Sequence, residues 1–199
     1  MITIGLTGSI GMGKTTAAQM LKKMGCAIHD SDLCVYKALQ PGGKAFEEVA
    51  VTFPEAWDKK KHIINRDILA RLIFNDSKQK NILEHILHPI VRADQNKFIQ
   101  NQTRQLRRFS VLDIPLLFET SADERVDVTA VVTAPLAIQR RRVLSRPGMD
   151  ENRFLSILNS QMPNVHKCAL ADFIIPTGLG RAYTYSTLRQ MLRKLRENA

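Results

Sequence analysis

The chain has 199 residues, 44% of them hydrophobic and 24% charged, which is the size and composition of one globular core. No apolar run is long enough to span a bilayer, and the N-terminus shows no secretory signal, so membrane and secreted classes are not expected. The net charge of +10 fits nucleic acid, small polyanions such as nucleotides, or a solvated basic surface, whereas the aromatic content of 6% argues against single-strand binding.

The three cysteines, Cys26, Cys34 and Cys168, form no CxxC pair and are odd in number. This usage favours reduced thiols in a cytoplasmic protein and argues against both a disulfide framework and a zinc site.

The first predicted elements surround a glycine-rich loop. Residues 2–7 are typical of a short buried strand, and residues 16–24 are typical of a helix that ends before Gly25. Between them, residues 8–15 read GSIGMGKT and match the phosphate-binding pattern Gly, four residues, Gly-Lys-Ser/Thr at every required position.

The chemistry of this loop follows from its residue types. Glycines let backbone N–H groups turn inward, and these groups together with a helix N-terminus favour an anion. Lys14 adds a charge for the outer phosphates, and the Thr15 hydroxyl is suited to Mg²⁺. The sequence therefore predicts a nucleoside triphosphate site held by Gly8, Gly11, Met12, Gly13, Lys14, Thr15 and Thr16.

A second strand is predicted at residues 26–30, and Asp30 and Asp32 lie at its carboxyl end. Either aspartate is a suitable N-cap for a helix over residues 33–39, and the other would then be available to the phosphates. The residue types alone do not determine which of the two aspartates is the cap.

Over residues 40–100 the sequence predicts helices with no strand between them. A turn at residues 40–43 and a helix over 45–53 lead to an exposed basic excursion at 57–62. Helices are then predicted over 66–74 and 78–100, the second interrupted near His88-Pro89, which together suggest a helical insert. His85 and His88 are three residues apart, and surface or substrate contact is favoured over metal because no further ligands complete a site.

Three more strands are predicted, at residues 109–113, 127–133 and 172–176, the last followed by a loop and a helix over 182–195. The strand at 109–113 ends in Asp113, which resembles the second nucleotide-site motif, whose acid helps to hold Mg²⁺ through water. Pro115 prevents ordinary strand pairing beyond it.

An arginine-rich helix is predicted after the fourth strand, opened by Pro135 and broken at 147–148, with Asp150 capping the next helix over 151–161. Such a pair of helices is a candidate lid, because a transferring phosphoryl group needs positive charge and exclusion of water. The alternative is a solvated basic face. Arg142 and Arg146 are spaced four apart, so a helix would bring them to one face.

Several segments together resemble the dephospho-coenzyme A kinase family, in order and over almost the whole chain. The segments are residues 5–15, 30–32, 66–74, 87–89, 113–119 and 139–146, with Gln161 and residues 171–172. The run DIPLLFE at 113–119, combined with Leu-His-Pro at 87–89, is much more specific than the loop alone.

The resemblance implies a three-layer α/β/α fold with a five-stranded parallel sheet in the order 2-3-1-4-5, a helical coenzyme-A-binding insert at about 57–101 and a lid at about 138–153, in one domain of residues 1–199. It implies transfer of the γ-phosphoryl group of ATP to the ribose 3′-hydroxyl of dephospho-coenzyme A, with Mg²⁺ as cofactor. By position, Asp32 matches the family's proposed base, and Lys14, Arg142 and Arg146 match its charge-neutralising groups. The residues implied to hold the acceptor are Asp32, Arg66, His88, Pro115, Leu116, Leu117 and Glu119, and those implied to hold magnesium are Thr15 and Asp113.

Two positions differ from the family pattern. The family commonly has arginines between Gln161 and Asp172, where this chain has Asn164, His166 and Lys167. After the fifth strand the family usually has an asparagine near a glycine, whereas residues 175–178 of this chain read IPTG.

Two rival functions are a different small-metabolite or nucleoside monophosphate kinase and a nucleic-acid-dependent ATPase. The expected partner is the small-molecule acceptor, without nucleic acid or membrane, and the expected state is a monomer or small homo-oligomer.

Overall fold

The computed structural model describes residues 1–74 and 76–197, so positions 75, 198 and 199 of the predicted domain lie outside the described residues. The chain forms two compact units. The first combines Met1–His29 with Asn101–Ala199, and the second is Asp30–Gln100. The second unit includes most of the predicted insert and begins earlier than the insert does.

In chain order the elements are β1 (Ile2–Thr7), α1 (Lys14–Lys23), β2 (Ala27–Asp30), α2 (Ser31–Ala38), α3 (Phe46–Thr52), β3 (Trp57–Asp58), β4 (Ile63–Ile64), α4 (Arg66–Phe74), α5 (Ser77–Arg104), β5 (Phe109–Asp113), β6 (Val128–Thr133), α6 (Leu136–Leu144), α7 (Glu151–Asn159), α8 (Asn164–Leu170), β7 (Phe173–Pro176) and α9 (Arg181–Glu197). Short 3-10 helices lie at Pro54–Ala56 and Ala122–Arg125.

A five-stranded sheet has the order β2-β5-β1-β6-β7, and β1 pairs in parallel with both β5 and β6. The predicted α/β class and strand order are confirmed. Only the numbering differs, because β3 and β4 form a separate two-stranded sheet. With β1 central, the loop that follows it and the end of β5 are adjacent, since Leu6 lies opposite Asp113.

The core of the first unit explains the apolar character of its strands. Strands of a parallel sheet are covered on both faces and so carry continuous apolar runs. Here α1 and α9 pack on the sheet, with Leu21 and Leu188 fully buried beside Leu6. The predicted apolar stripe of α9 is buried except at Tyr185, which is exposed.

The second unit has its own apolar cluster. Phe46, Val49 and Phe53 of the α3 region pack with Leu69 of α4 and Leu87 of α5. This shared core explains why the compact unit includes α3 as well as the predicted insert. The excursion expected at 57–62 is part of a small antiparallel hairpin, in which Trp57 lies opposite Ile64.

Two local predictions need correction, and one helix was missed. The interruption expected near His88-Pro89 is absent from α5, which runs for 28 residues through Pro89. A proline inside a helix removes one backbone hydrogen bond, and the long helical stretches on both sides outweigh that loss here. The helix α8 was not predicted, and α6 ends at Leu144, short of Arg146.

Within the described part of the chain, no helix has both the length and the apolar character that crossing a membrane requires.

Candidate functional site

The glycine-rich loop joins β1 to α1 in the conformation that its glycines permit. A Cβ at Gly8 would lie 2.4 Å from Val132 Cγ2 and 2.9 Å from the Val132 carbonyl oxygen, so only glycine fits against β6. Gly11 and Gly13 have φ angles of 75° and 92°, in the left-handed region that side chains disfavour. The sequence pattern therefore corresponds to a real steric requirement.

Hydrogen bonds within the loop and to neighbouring segments hold it at Met12. Within the loop, the Met12 N–H donates to the Ser9 carbonyl at 3.1 Å. From the end of β7, the Thr177 hydroxyl donates to the Met12 carbonyl at 2.6 Å. The buried Met12 sulfur accepts from the Ala134 N–H. The loop is thus fixed to the ends of both β6 and β7, which is the preorganisation that an anion site needs.

Lys14 and Asp113 meet at the end of the central strands. Lys14 Nζ forms an ion pair and hydrogen bond with Asp113 Oδ1, and the two side chains are only 16% and 9% exposed. Thr15, the second residue of α1, is exposed. The structure therefore brings together the predicted phosphate-binding lysine and the predicted magnesium-binding acid.

The loop that follows Asp113 is anchored by a lysine whose burial the sequence did not indicate. Lys167 of α8 is fully buried, and its Nζ lies 2.7 Å from Glu119 Oε1 and 3.3 Å from the Pro115 carbonyl oxygen. Glu119 Oε1 also accepts from the Met162 N–H at 2.9 Å, and the Pro115 carbonyl accepts from the Thr7 hydroxyl at 2.9 Å. Both ends of the loop are therefore tied to one ammonium group.

The second carboxylate oxygen of Glu119 differs from the first. Glu119 Oε2 is buried and makes no hydrogen bond within the described part of the chain. Burying a carboxylate oxygen without a hydrogen-bond donor costs free energy. The positive charge of Lys167 beside Glu119 offsets part of that cost.

The two leucines of the loop differ in environment. Leu116 is half-buried, whereas Leu117 is fully buried, and a Cβ on Gly5 would lie 3.0 Å from its Cδ2. The Leu117 side chain therefore packs against β1 at Gly5.

Arg142 and Arg146 have different environments. The guanidinium of Arg142 donates to the Thr177 carbonyl at 2.7 Å, to the Thr177 hydroxyl at 3.0 Å and to the Gly11 carbonyl at 3.4 Å. Arg146 is exposed and follows the end of α6 at Leu144. The prediction that Arg142 and Arg146 share one face of a helix is wrong, because α6 ends two residues before Arg146.

The predicted pair of arginine-rich helices is present as α6, a turn and α7. Asp150 caps α7 as predicted, since its side chain accepts from the Arg153 N–H at 2.7 Å. Arg140 pairs with Glu151 at 2.7 Å across the turn, and its hydrogen bonds lower the pKa of the exposed Glu151 carboxyl. The two helices are therefore linked by an exposed ion pair.

The structure distinguishes the two aspartates after β2. Asp30 is the N-cap of α2, because its Oδ1 accepts from the Leu33 N–H at 2.9 Å. Asp32 lies in the first turn of α2 and is exposed.

The other predicted acceptor-binding residues belong to helices of the second unit. Arg66 begins α4, and its guanidinium carbon lies 5.2 Å from the centre of the Tyr36 ring, a cation–π contact. His88 is half-buried in α5, and His85 is exposed in the same helix.

Sequence comparisons with known proteins identify one family. A family model described as dephospho-CoA kinase matches residues 2–179. A dephospho-CoA kinase of Mesorhizobium japonicum is 42% identical over 196 residues, which cover 98% of each chain.

Solved structures extend this likeness to the fold. A Thermus thermophilus protein of known crystal structure is 33% identical, with a TM-score of 0.85 over 98% of this chain and 97% of that one. The dephospho-CoA kinase from Campylobacter jejuni is 25% identical, with a TM-score of 0.63 over 96% of each chain.

Proposed function

Because this chain belongs to the dephospho-CoA kinase family, we propose that it transfers the γ-phosphoryl group of ATP to the ribose 3′-hydroxyl of dephospho-CoA, forming CoA and ADP. This reaction is the last step of CoA synthesis. The observation that carries the proposal is a family match over residues 2–179, which includes the glycine-rich loop, the Lys14–Asp113 pair and the loop from Pro115 to Glu119.

Phosphoryl transfer depends mainly on positioning and on neutralising charge, and the first unit offers both. The loop from Gly8 to Gly13 supplies backbone N–H groups, and α1 begins directly after it with its positive dipole end. Lys14 is close enough to the same loop to serve the outer phosphates, and its pairing with Asp113 keeps its ammonium group oriented when ATP is absent.

Thr15 and Asp113 have the donor chemistry for magnesium, since a hydroxyl and a carboxylate are the oxygen ligands that this ion prefers. We assign both residues to the metal. When bound, Mg²⁺ neutralises charge on the β- and γ-phosphates.

For the acceptor side, we assign Asp32 to accept or orient the proton of the ribose hydroxyl. Three features support this assignment: its match to the family's proposed base, its exposure, and the use of Asp30 rather than Asp32 as the helix cap. Arg66, His88 and the loop from Pro115 to Glu119 are assigned to hold the acceptor, with Leu117 acting through the main chain because its side chain is buried.

Arg142 and Arg146 are assigned to stabilise the negative charge of the transferring group. The contact between Arg142 and the Gly11 carbonyl supports the first assignment, because it keeps a guanidinium beside the glycine-rich loop. Arg146 lies in the exposed turn between α6 and α7, where a lid movement would carry it.

We further propose a cytoplasmic monomer or small homo-oligomer that acts on a small molecule, without nucleic acid or membrane partners. The three free thiols, Cys26, Cys34 and Cys168, support a reducing compartment.

A substrate panel tests the proposal. The protein with ATP and Mg²⁺ is offered dephospho-CoA, nucleoside monophosphates, shikimate and gluconate, and ADP formation is followed for each acceptor. Only dephospho-CoA is expected to give sustained turnover. Turnover with another acceptor and none with dephospho-CoA would contradict the proposal, and polynucleotide-stimulated ATP hydrolysis would favour the ATPase alternative.

A further inference from the structure

The main chain of Ile10, in the middle of the glycine-rich loop, is bound on both sides by glutamines. The Ile10 N–H donates to Gln161 Oε1 at 3.1 Å, and Gln139 Nε2 donates to the Ile10 carbonyl at 2.7 Å. Gln139 is only 2% exposed, and Gln161 is half-buried. A carboxamide both donates and accepts, so it can satisfy either polarity of a peptide without adding charge beside phosphates.

The two glutamines lie at opposite ends of one segment. Gln139 is in α6, and Gln161 follows the end of α7 at Asn159 by two residues. Residues 140–160 between them, here called the arginine segment, include the predicted lid turn. Both ends of the arginine segment are therefore fastened to the same residue of the loop.

Close packing reinforces the attachment at the α6 end. A Cβ on Gly11 would lie 2.5 Å from Val143 Cγ2 and 3.0 Å from the Gln139 carbonyl oxygen. The helix thus lies directly against the loop residue that follows Ile10, and a displacement of the loop cannot leave α6 unaffected.

We propose that Gln139 and Gln161 are positioning residues that couple the glycine-rich loop to the arginine segment through Ile10. When the loop adopts the conformation that holds the terminal phosphate, the two hydrogen bonds to Ile10 position both ends of the arginine segment accordingly. Neither glutamine is assigned a contact with substrate. The measurement of kcat that tests this inference rests on the proposed kinase function. The measurements of nucleotide affinity and hydrogen exchange require only that the protein bind a nucleotide.

The experiment uses three glutamine-to-methionine variants of the whole chain, because methionine keeps the length of the side chain and removes its hydrogen bonds. Gln139→Met and Gln161→Met test the coupling, and Gln105→Met, at an exposed turn position after α5, is the matched control. Thermal unfolding first establishes that each variant is folded. Should Gln139→Met fail to fold, Gln161→Met, at a less buried position, carries the test.

Two measurements of nucleotide binding, together with kcat for dephospho-CoA, then separate coupling from simple bracing. The first is the affinity for ADP and for a non-hydrolysable ATP analogue. The second is hydrogen exchange of residues 140–160 with and without that analogue. Coupling predicts that Gln161→Met keeps ADP affinity within about threefold, loses the analogue-dependent protection of the arginine segment, and lowers kcat by about tenfold or more.

A double variant adds an independent check. Since both hydrogen bonds act through Ile10, Gln139→Met and Gln161→Met together are expected to lower kcat by less than the product of their separate effects.

Three results would overturn the inference. The first is that both variants keep the protection of residues 140–160 and the wild-type kcat. The second is an equal fall in the affinities for ADP and the ATP analogue with kcat unchanged. The third is tighter binding of the analogue, which would mean that Gln161 competes with phosphate. If nucleotide protects residues 140–160 in the wild-type protein and not in Gln161→Met, yet the wild-type protein does not phosphorylate dephospho-CoA, the proposed acceptor is wrong while the coupling stands.

Discussion

Substitution of Lys167 by methionine tests the role of the buried charge behind the acceptor loop. The ammonium group is fully buried against Glu119, whose side chain is 19% exposed. Without it, the Glu119 carboxylate keeps the Met162 N–H as a donor and loses its counter-charge, and the Pro115 carbonyl keeps the Thr7 hydroxyl as a donor.

The expected cost follows from this geometry. Removing one partner of a buried ion pair leaves a buried charge uncompensated and costs about 3–5 kcal/mol. At about 2–4 °C per kcal/mol for a chain of this length, the midpoint of thermal unfolding should fall by roughly 6–20 °C. The free energy of unfolding is measured by urea titration and the midpoint by circular dichroism.

Two further variants sharpen the test. The exposed Lys23→Met variant, at the end of α1, is the control and should change stability by less than about 0.5 kcal/mol. Adding Glu119→Gln to Lys167→Met removes both charges and keeps an acceptor for Met162, so most of the lost stability should return. A loss below about 1 kcal/mol in Lys167→Met, or no recovery in the double variant, would refute the reasoning.

Three other predictions concern the site and the thiols. Asp32→Asn should leave ATP affinity nearly unchanged and lower kcat by at least about a hundredfold, as loss of a general base does, and near-normal turnover would remove Asp32 from that role. Lys14→Ala should weaken ATP binding and turnover together, which titration calorimetry and steady-state kinetics would measure; unchanged affinity would contradict its phosphate contact. Burial raises the pKa of both Cys26 and Cys34 from 9.0 to about 11, so in a Cys168→Ser variant alkylation should be slow at neutral pH and accelerate towards pH 11. Because the pKa of Cys26 is higher in the folded than in the unfolded state, the stability that this thiol contributes is present below pH 9 and is lost as pH rises towards 11. Fast alkylation at pH 7 would contradict the raised pKa values of both thiols.

The parts of the site that the sequence predicted are those that depend on local backbone chemistry. The loop from Gly8 to Gly13 is recognisable because its glycines are needed for positive φ angles and for the close approach of Val132. The Asp150 cap is likewise a contact between near neighbours in the chain. Strand order came from the family resemblance, because apolar runs of similar composition do not identify their neighbours.

The parts that the sequence missed depend on tertiary contacts. Lys167 looks like any polar residue of a short helix, and only the fold buries it beside Glu119, 48 positions earlier in the chain. The end of α6 at Leu144 and the continuity of α5 through Pro89 were also missed, because a proline or a run of arginines does not by itself fix where a helix ends. Asp30 and Asp32 were equally suitable caps, and the hydrogen bond to Leu33 distinguishes them.

The most direct test of the central claim is to identify the product made from dephospho-CoA, ATP and Mg²⁺. Mass spectrometry and phosphorus NMR of the purified product would locate the added phosphoryl group, with Lys14→Ala protein as the control. The account predicts CoA, carrying the new phosphate on the ribose 3′-oxygen, in amounts equal to the ADP released. Unmodified dephospho-CoA after ATP has been consumed, or a phosphate at any other position, would contradict it.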